Sequence, residues 1–132
     1  MASSSPHGSG AVIFAKDIRR VAAFYEHLCG LAVADAQSDH IVLESDAVQL
    51  VIHGIPPWIA KDIHIARPPA VREETPIKLF FRVASLADAR TLAVQWGGQL
   101  LPAGKEWEAR GFRACDGHDP EGNVVQFRQA LG

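Results

Sequence analysis

Hydrophobic positions in this chain follow two alternating periods. From Ala11 to Ala15 apolar residues run without interruption, as in a strand buried by its neighbours. The spacing then lengthens: Ile18, Val21, Phe24, Tyr25 and Leu28 fall on one face of a helix, with Asp17 placed to cap its first turn and Gly30 to end it. Beyond a linker containing Val33 a period of two predicts a hairpin, Ile41–Glu44 and Ala47–His53 about a Ser45-Asp46 turn. In its second strand Val48, Leu50 and Ile52 oppose Gln49, Val51 and His53. The stretch Gly54–Pro76 carries five prolines and Trp58, and reads as a connecting excursion with a short helix at Ile59–Ile63.

The pattern then repeats. Lys78–Val83 predicts a strand, and Ser85-x-x-Asp88 is a capping box that opens a helix with Leu86, Ala89, Ala93 and Trp96 on one face. Subtracting 68 turns these four positions into Ile18, Val21, Tyr25 and Leu28, and carries Ser85 onto Asp17 and Gly98 onto Gly30. Strand, capped helix of equal length and closing glycine therefore occur twice. The second copy continues with Phe112–Asp116, a turn at Asp119–Asn123 and Val124–Arg128. The fold class is α+β, a tandem repeat of β-α-β-β-(β) units. Residues 1–10 read as a flexible lead-in and 11–132 as a single domain, with module one at 11–53, a linker at 54–76 and module two at 77–130.

Composition narrows the function classes. The 132 residues are 48% hydrophobic and 21% charged, which excludes disorder over most of the length and suits one packed domain. A net charge of -2 without a basic run argues against nucleic acid as a partner. No apolar stretch approaches the roughly 20 residues of a membrane span, and no signal segment is visible, so the expected location is cytoplasmic with no membrane partner. Cys29 and Cys115, without CxxC spacing, read as reduced, packed thiols.

The opening Asp17-Ile-x-Arg-x-x-x-Phe-Tyr25 with Gly30-Leu31 behind it, the internal repeat, and the closing Asp119-Pro-Glu-Gly-Asn-Val-Val-Gln-Phe127 together resemble the vicinal oxygen chelate superfamily, which includes glyoxalase I, fosfomycin and bleomycin resistance proteins and extradiol dioxygenases. The resemblance covers nearly all of Ala11–Arg128 and implies two tandem βαβββ modules forming a curved mixed sheet around a shared cavity, commonly in a homodimer. In metal-dependent members it also implies four His or Glu ligands, two from each module. Carried over by spacing from the motifs, these positions are Gly10, Gln49, Lys78 and Gln126. Glycine has no donor atom, lysine is cationic, and amide oxygens are weak ligands for a divalent ion. No metal or other cofactor is expected at that centre.

Strand alternation supplies what faces the cavity instead: Gly10, Val12 and Phe14; Gln49, Val51 and His53; Lys78, Phe80 and Arg82; Val124, Gln126 and Arg128. Rings, amides and cations of this kind suit an organic ligand with an apolar body and an anionic or carbonyl group. Phe14, Gln49, His53, Lys78, Phe80, Arg82, Trp107 and Gln126 are the candidate ligand-binding residues. His53 is the candidate acid or base, because imidazole suits proton transfer near neutrality. Trp107 reads either as a stacking plate or as an apolar lid, Trp96 as core, and His40 as loop. Asp116 and His118 read as turn chemistry or as ligand-orienting groups. The leading reading is a homodimeric small-molecule-binding protein. The alternative is a lyase, isomerase or dioxygenase, using either a displaced metal site built from His53, His118 and Glu106 or Glu44, or His53 and Lys78 without metal. An interaction module whose cavity is filled by its own side chains is a third.

Overall fold

The computed structural model describes residues 8–132; most of the expected lead-in lies outside these. Module one consists of β1 (Gly10–Ala15), α1 (Ile18–Cys29), β2 (Ala32–Ala36), β3 (His40–Glu44) and β4 (Gln49–Gly54). After the short α2 (Pro57–Ala60), module two follows as β5 (Leu79–Arg82), α3 (Leu86–Gln95), β6 (Gln99–Leu100), β7 (Trp107–Ala109), β8 (Phe112–His118) and β9 (Val124–Ala130). The strands form two sheets, ordered β1-β4-β3-β2 and β5-β9-β8-β6, with β7 added on β8. In each, the first strand lies parallel to the last strand of its own module. The order is thus the same in both, and the chain is a tandem pair of βαβββ modules.

Each helix starts where its cap places it. The Asp17 carboxylate accepts from the Arg20 backbone N–H at 3.1 Å, and the Ser85 hydroxyl from that of Asp88 at 3.1 Å. The helix ends depart from the 68-residue shift. Gly30 closes α1 in the left-handed region (φ 65°), but in module two that role falls to Gly97 (φ 92°), and α3 has 10 residues against 12 for α1. Gly98 serves a different need, close approach: a Cβ there would lie 2.4 Å from a Phe24 ring carbon and 2.3 Å from the His118 carbonyl oxygen. Because α3 stops early, Trp96 is not a buried counterpart of Leu28. It is half-buried, and its ring stacks on His27 at 3.9 Å.

One core runs through both modules. Val21, Phe24, Tyr25 and Leu28 of α1, Leu43, Leu50 and Ile52 of the first sheet, and Phe81, Val125 and Phe127 of the second belong to a single buried cluster. The turn between β8 and β9 fastens the modules. Glu121, 3% exposed, accepts from the backbone N–H groups of Lys16 (2.9 Å) and Asp17 (2.7 Å) just ahead of α1. Fully buried Asp119 accepts from the Tyr25 hydroxyl at 2.8 Å. The two sequence motifs, about a hundred residues apart, are therefore the two sides of one contact. Among the described residues no helix is long and apolar enough to cross a membrane.

Candidate functional site

With one face of each sheet packed under a helix, the other is left open, and registered strand pairing sorts its side chains into rows. In module one the rows are Gly10–Gln49–Glu44, Val12–Val51–Val42 and Phe14–His53–His40. In module two they are Phe80–Gln126–Asp116 and Arg82–Arg128–Ala114–Trp107, with Phe112 one row further on. Strand alternation thus placed the residues on the intended face. It missed three sets of contributors. His40 opens β3 rather than sitting in a loop. Asp116 ends the predicted strand and stands in the open-face row, and His118 lies within β8 rather than beside the turn, because that strand runs two residues past Asp116. Phe112 joins them from the start of the same strand.

On module one, the His53 Nδ1–H donates to the Gly54 carbonyl at 2.9 Å in the neutral tautomer assigned from that contact, which leaves Nε2 with a free lone pair. Its ring packs 5.7 Å from Phe14 and 6.1 Å from His40. His40 is held by Asp39 at 2.8 Å, and hydrogen bonding from this imidazole lowers the Asp39 carboxyl below its ordinary value. The Gln49 amide donates to Glu44 at 2.9 Å.

On module two the polar groups form one chain. Lys78 Nζ donates to Asp116 at 2.7 Å, and the other Asp116 oxygen accepts a long bond from the Gln126 amide at 3.5 Å. Gln126 Oε1 in turn accepts from Arg128 Nε at 2.7 Å. The Arg128 guanidinium lies between two rings, 3.5 Å from the centroid of Phe80 and 4.3 Å from that of Phe112, and Trp107 meets Phe112 edge-on at 5.9 Å. Two hollows open here. One of about 440 Å³ is bordered by Lys78, Asp116, His118 and Pro102, and one of about 250 Å³ by Phe80, Arg82, Phe112 and Arg128. His53 and Gln49 border neither. A third hollow, of about 530 Å³, lies between the modules, with Val12 and Phe14 of β1 on one side and Leu79 and Val124 of module two on the other, so Phe14 sits at the junction while Gln49 and His53 stay on the first sheet.

The residues at the positions implied for a metal do not fit one. Gly10 offers no donor, Lys78 is already paired with Asp116, and the Gln49 amide is turned to Glu44. The one neutral oxygen at the fourth position, Gln126 Oε1, is occupied by a guanidinium, a cation where a second cation would have to sit. A displaced site from His53, His118 and Glu106 is not assembled either. Glu106 is held by Arg90 at 2.6 Å, and Glu44, the other acid considered, accepts from the Gln49 amide at 2.9 Å. Among the described residues no three His, Cys, Asp or Glu side chains group to hold a metal. Both cysteines are free, Cys115 buried and Cys29 partly so.

Residues 10–127 match the sequence profile of the glyoxalase-like domain. No curated protein matches the chain. Among solved structures, a glyoxalase/bleomycin resistance protein/dioxygenase family enzyme from Burkholderia phytofirmans PsJN superposes with a TM-score of 0.69 at 18% identity, covering 96% of this chain and 100% of that one. A glyoxalase/bleomycin resistance protein from Albidiferax ferrireducens T118 gives 0.64 at 18% identity, covering 92% and 96%. A glyoxalase-related enzyme from Fulvimarina pelagi gives 0.62 at 16% identity, covering 92% and 86%. At these identities the likeness is one of fold.

Proposed function

The chain belongs to the glyoxalase-like domain family, and on that footing we propose that it is a metal-independent small-molecule-binding protein of the glyoxalase/bleomycin resistance type, acting as a homodimer. The observation that carries this reading is Gln126, whose amide is held between Asp116 and Arg128 where a metal-dependent relative would need a free anionic oxygen. A binding role needs a surface of rings, amides and cations and no chemical step. Phe14, Gln49 and His53 supply it on one module, and Lys78, Phe80, Arg82, Trp107 and Gln126 on the other. The homodimer is supported by exposure: Val12, Phe14 and Phe80 are 55%, 61% and 56% accessible on the open faces. Burying apolar side chains of this size is worth about 1.5–3 kcal/mol each, which a ligand and a second copy together would recover.

A second reading has its own support. His53, with Nδ1 fixed and Nε2 free beside an exposed aromatic ring, has the arrangement of a general base, so a metal-independent lyase or isomerase would use it. Thermal unfolding against a library of aromatic and anionic metabolites tests the binding role. A ligand present at 100 times its dissociation constant should add about 2.7 kcal/mol. Turnover of a stabilising compound that stops in His53→Ala would favour the enzyme, and no stabilisation by any compound would count against both. Light scattering should give twice the mass of one chain; a monomer at micromolar concentration would refute the dimer.

A further inference from the structure

Arg82 and Arg128 are Cα partners across the parallel β5–β9 pair, and both residues border the same hollow of about 250 Å³. Like charges placed directly opposite on one sheet face repel and are ordinarily offset by a nearby acid. None is supplied here. Among the described residues, no carboxylate lies within ion-pair distance of either guanidinium, and Asp116, the nearest acid in the row sequence, is taken by Lys78. Two positive charges are thus held together with no counter-charge from the described residues.

The orientation of Arg128 is fixed as well. Its Nε–H is committed to Gln126, and its plane is clamped between Phe80 and Phe112, a contact that a weakly hydrated guanidinium makes well. Its two terminal nitrogens have no partner among the described residues. A rigid planar fork with an open edge is the shape that receives a carboxylate through two parallel hydrogen bonds. The neighbouring surface is aromatic, and the hollow is smaller than the roughly 300–1,000 Å³ of drug-sized sites, which suits a one-ring molecule.

We propose that Arg128, with Arg82 beside it, forms an oxyanion site that receives the carboxylate of a small aromatic acid, whose ring lies against Phe80 and Phe112. This rests on the reading of the open face as a ligand surface, and names the ligand class of that face.

The test is a titration of ¹⁵N-labelled protein with benzoate, following the Nε–Hε signals of Arg82 and Arg128, with benzamide and inorganic phosphate in parallel and Arg82→Gln as the variant. Arg82 is exposed and has no partner among the described residues, so the variant should fold, which an unchanged amide spectrum would verify. Benzoate should move both signals saturably, benzamide should leave them in place, and R82Q should weaken benzoate binding by about tenfold or more, the usual effect of losing one charged hydrogen-bond donor. Equal shifts with benzamide, a response to inorganic phosphate but not to benzoate, or unchanged benzoate affinity in R82Q would overturn the assignment. A neutral compound that stabilises the protein while benzoate is silent would overturn the oxyanion site alone and leave the binding role standing.

Discussion

Replacing Tyr25 by phenylalanine removes one oxygen at the contact that joins the two modules. The Tyr25 hydroxyl and the Asp119 carboxylate are both fully buried and 2.8 Å apart. Asp119 also accepts from the backbone N–H groups of Glu121 (2.9 Å) and Asn123 (3.1 Å) and from the Asn123 side-chain amide (2.8 Å). The variant therefore leaves the carboxylate three donors out of four and no large cavity. Loss of a hydrogen bond to a charged group should cost about 1.5–3 kcal/mol. For a chain of this size that is a fall of about 6–12 °C in Tm. Urea unfolding supplies the free energy, and a double-mutant cycle with Asp119→Asn isolates the pair; it should give a coupling energy of about 1 kcal/mol or more.

The pH dependence gives an independent check on the same bond. Burial, and after it the Asp119 charge, push the Tyr25 phenol well above its ordinary 10.0. Folded protein therefore keeps this proton where unfolded protein loses it. The contribution is complete below the unfolded value and declines above it, by about 1.4 kcal/mol per pH unit. Tyr25→Phe should lack that alkaline decline. A change below about 0.5 kcal/mol, typical of a neutral surface substitution, would show that the Tyr25–Asp119 bond does not join the modules, as would additive single effects.

Gly98→Ala should destabilise by about 1–3 kcal/mol or more, because the new methyl overlaps backbone at His118 as well as the Phe24 ring; a variant with wild-type Tm would contradict this packing. Glu121→Gln places an amide N–H against a backbone N–H at Lys16 or Asp17 and should cost about 1–3 kcal/mol in urea unfolding. Burial raises the Cys29 thiol far above its ordinary 9.0, so stability attributable to it is intact below the unfolded thiol's value and lost as pH rises beyond it. Cys29→Ala should unfold with a shallower alkaline slope, by about 1.4 kcal/mol per pH unit.

The elements that were legible in the sequence are those with one buried face. The apolar stripe of α1, the alternation in β4 and the caps Asp17 and Ser85 each express a local physical requirement, and each stands where its pattern placed it. β2 escaped notice because all five of its residues are exposed, so no period of two is imposed on them. β6 and β7 are too short, at two and three residues, to carry a period at all. The paired glycines show a further limit: composition marks Gly97 and Gly98 alike, and only the tertiary approach of Phe24 decides which supplies the positive φ and which the space. At the site, alternation identified the open-face rows, while partners within them stayed hidden because they come from other strands. Arg128 is the clearest case, since the two rings that clamp it, Phe80 of β5 and Phe112 of β8, reach it only through the β5–β9–β8 register.

Recognition on the open face is proposed to proceed without a divalent ion. Its most direct test is calorimetric titration of the best-stabilising ligand into chelator-stripped protein, repeated with excess zinc, nickel, manganese or ferrous iron. The same affinity is expected in every case. Binding that appears only with one of these metals at one equivalent per chain, and that is lost in Gln126→Ala, would contradict it.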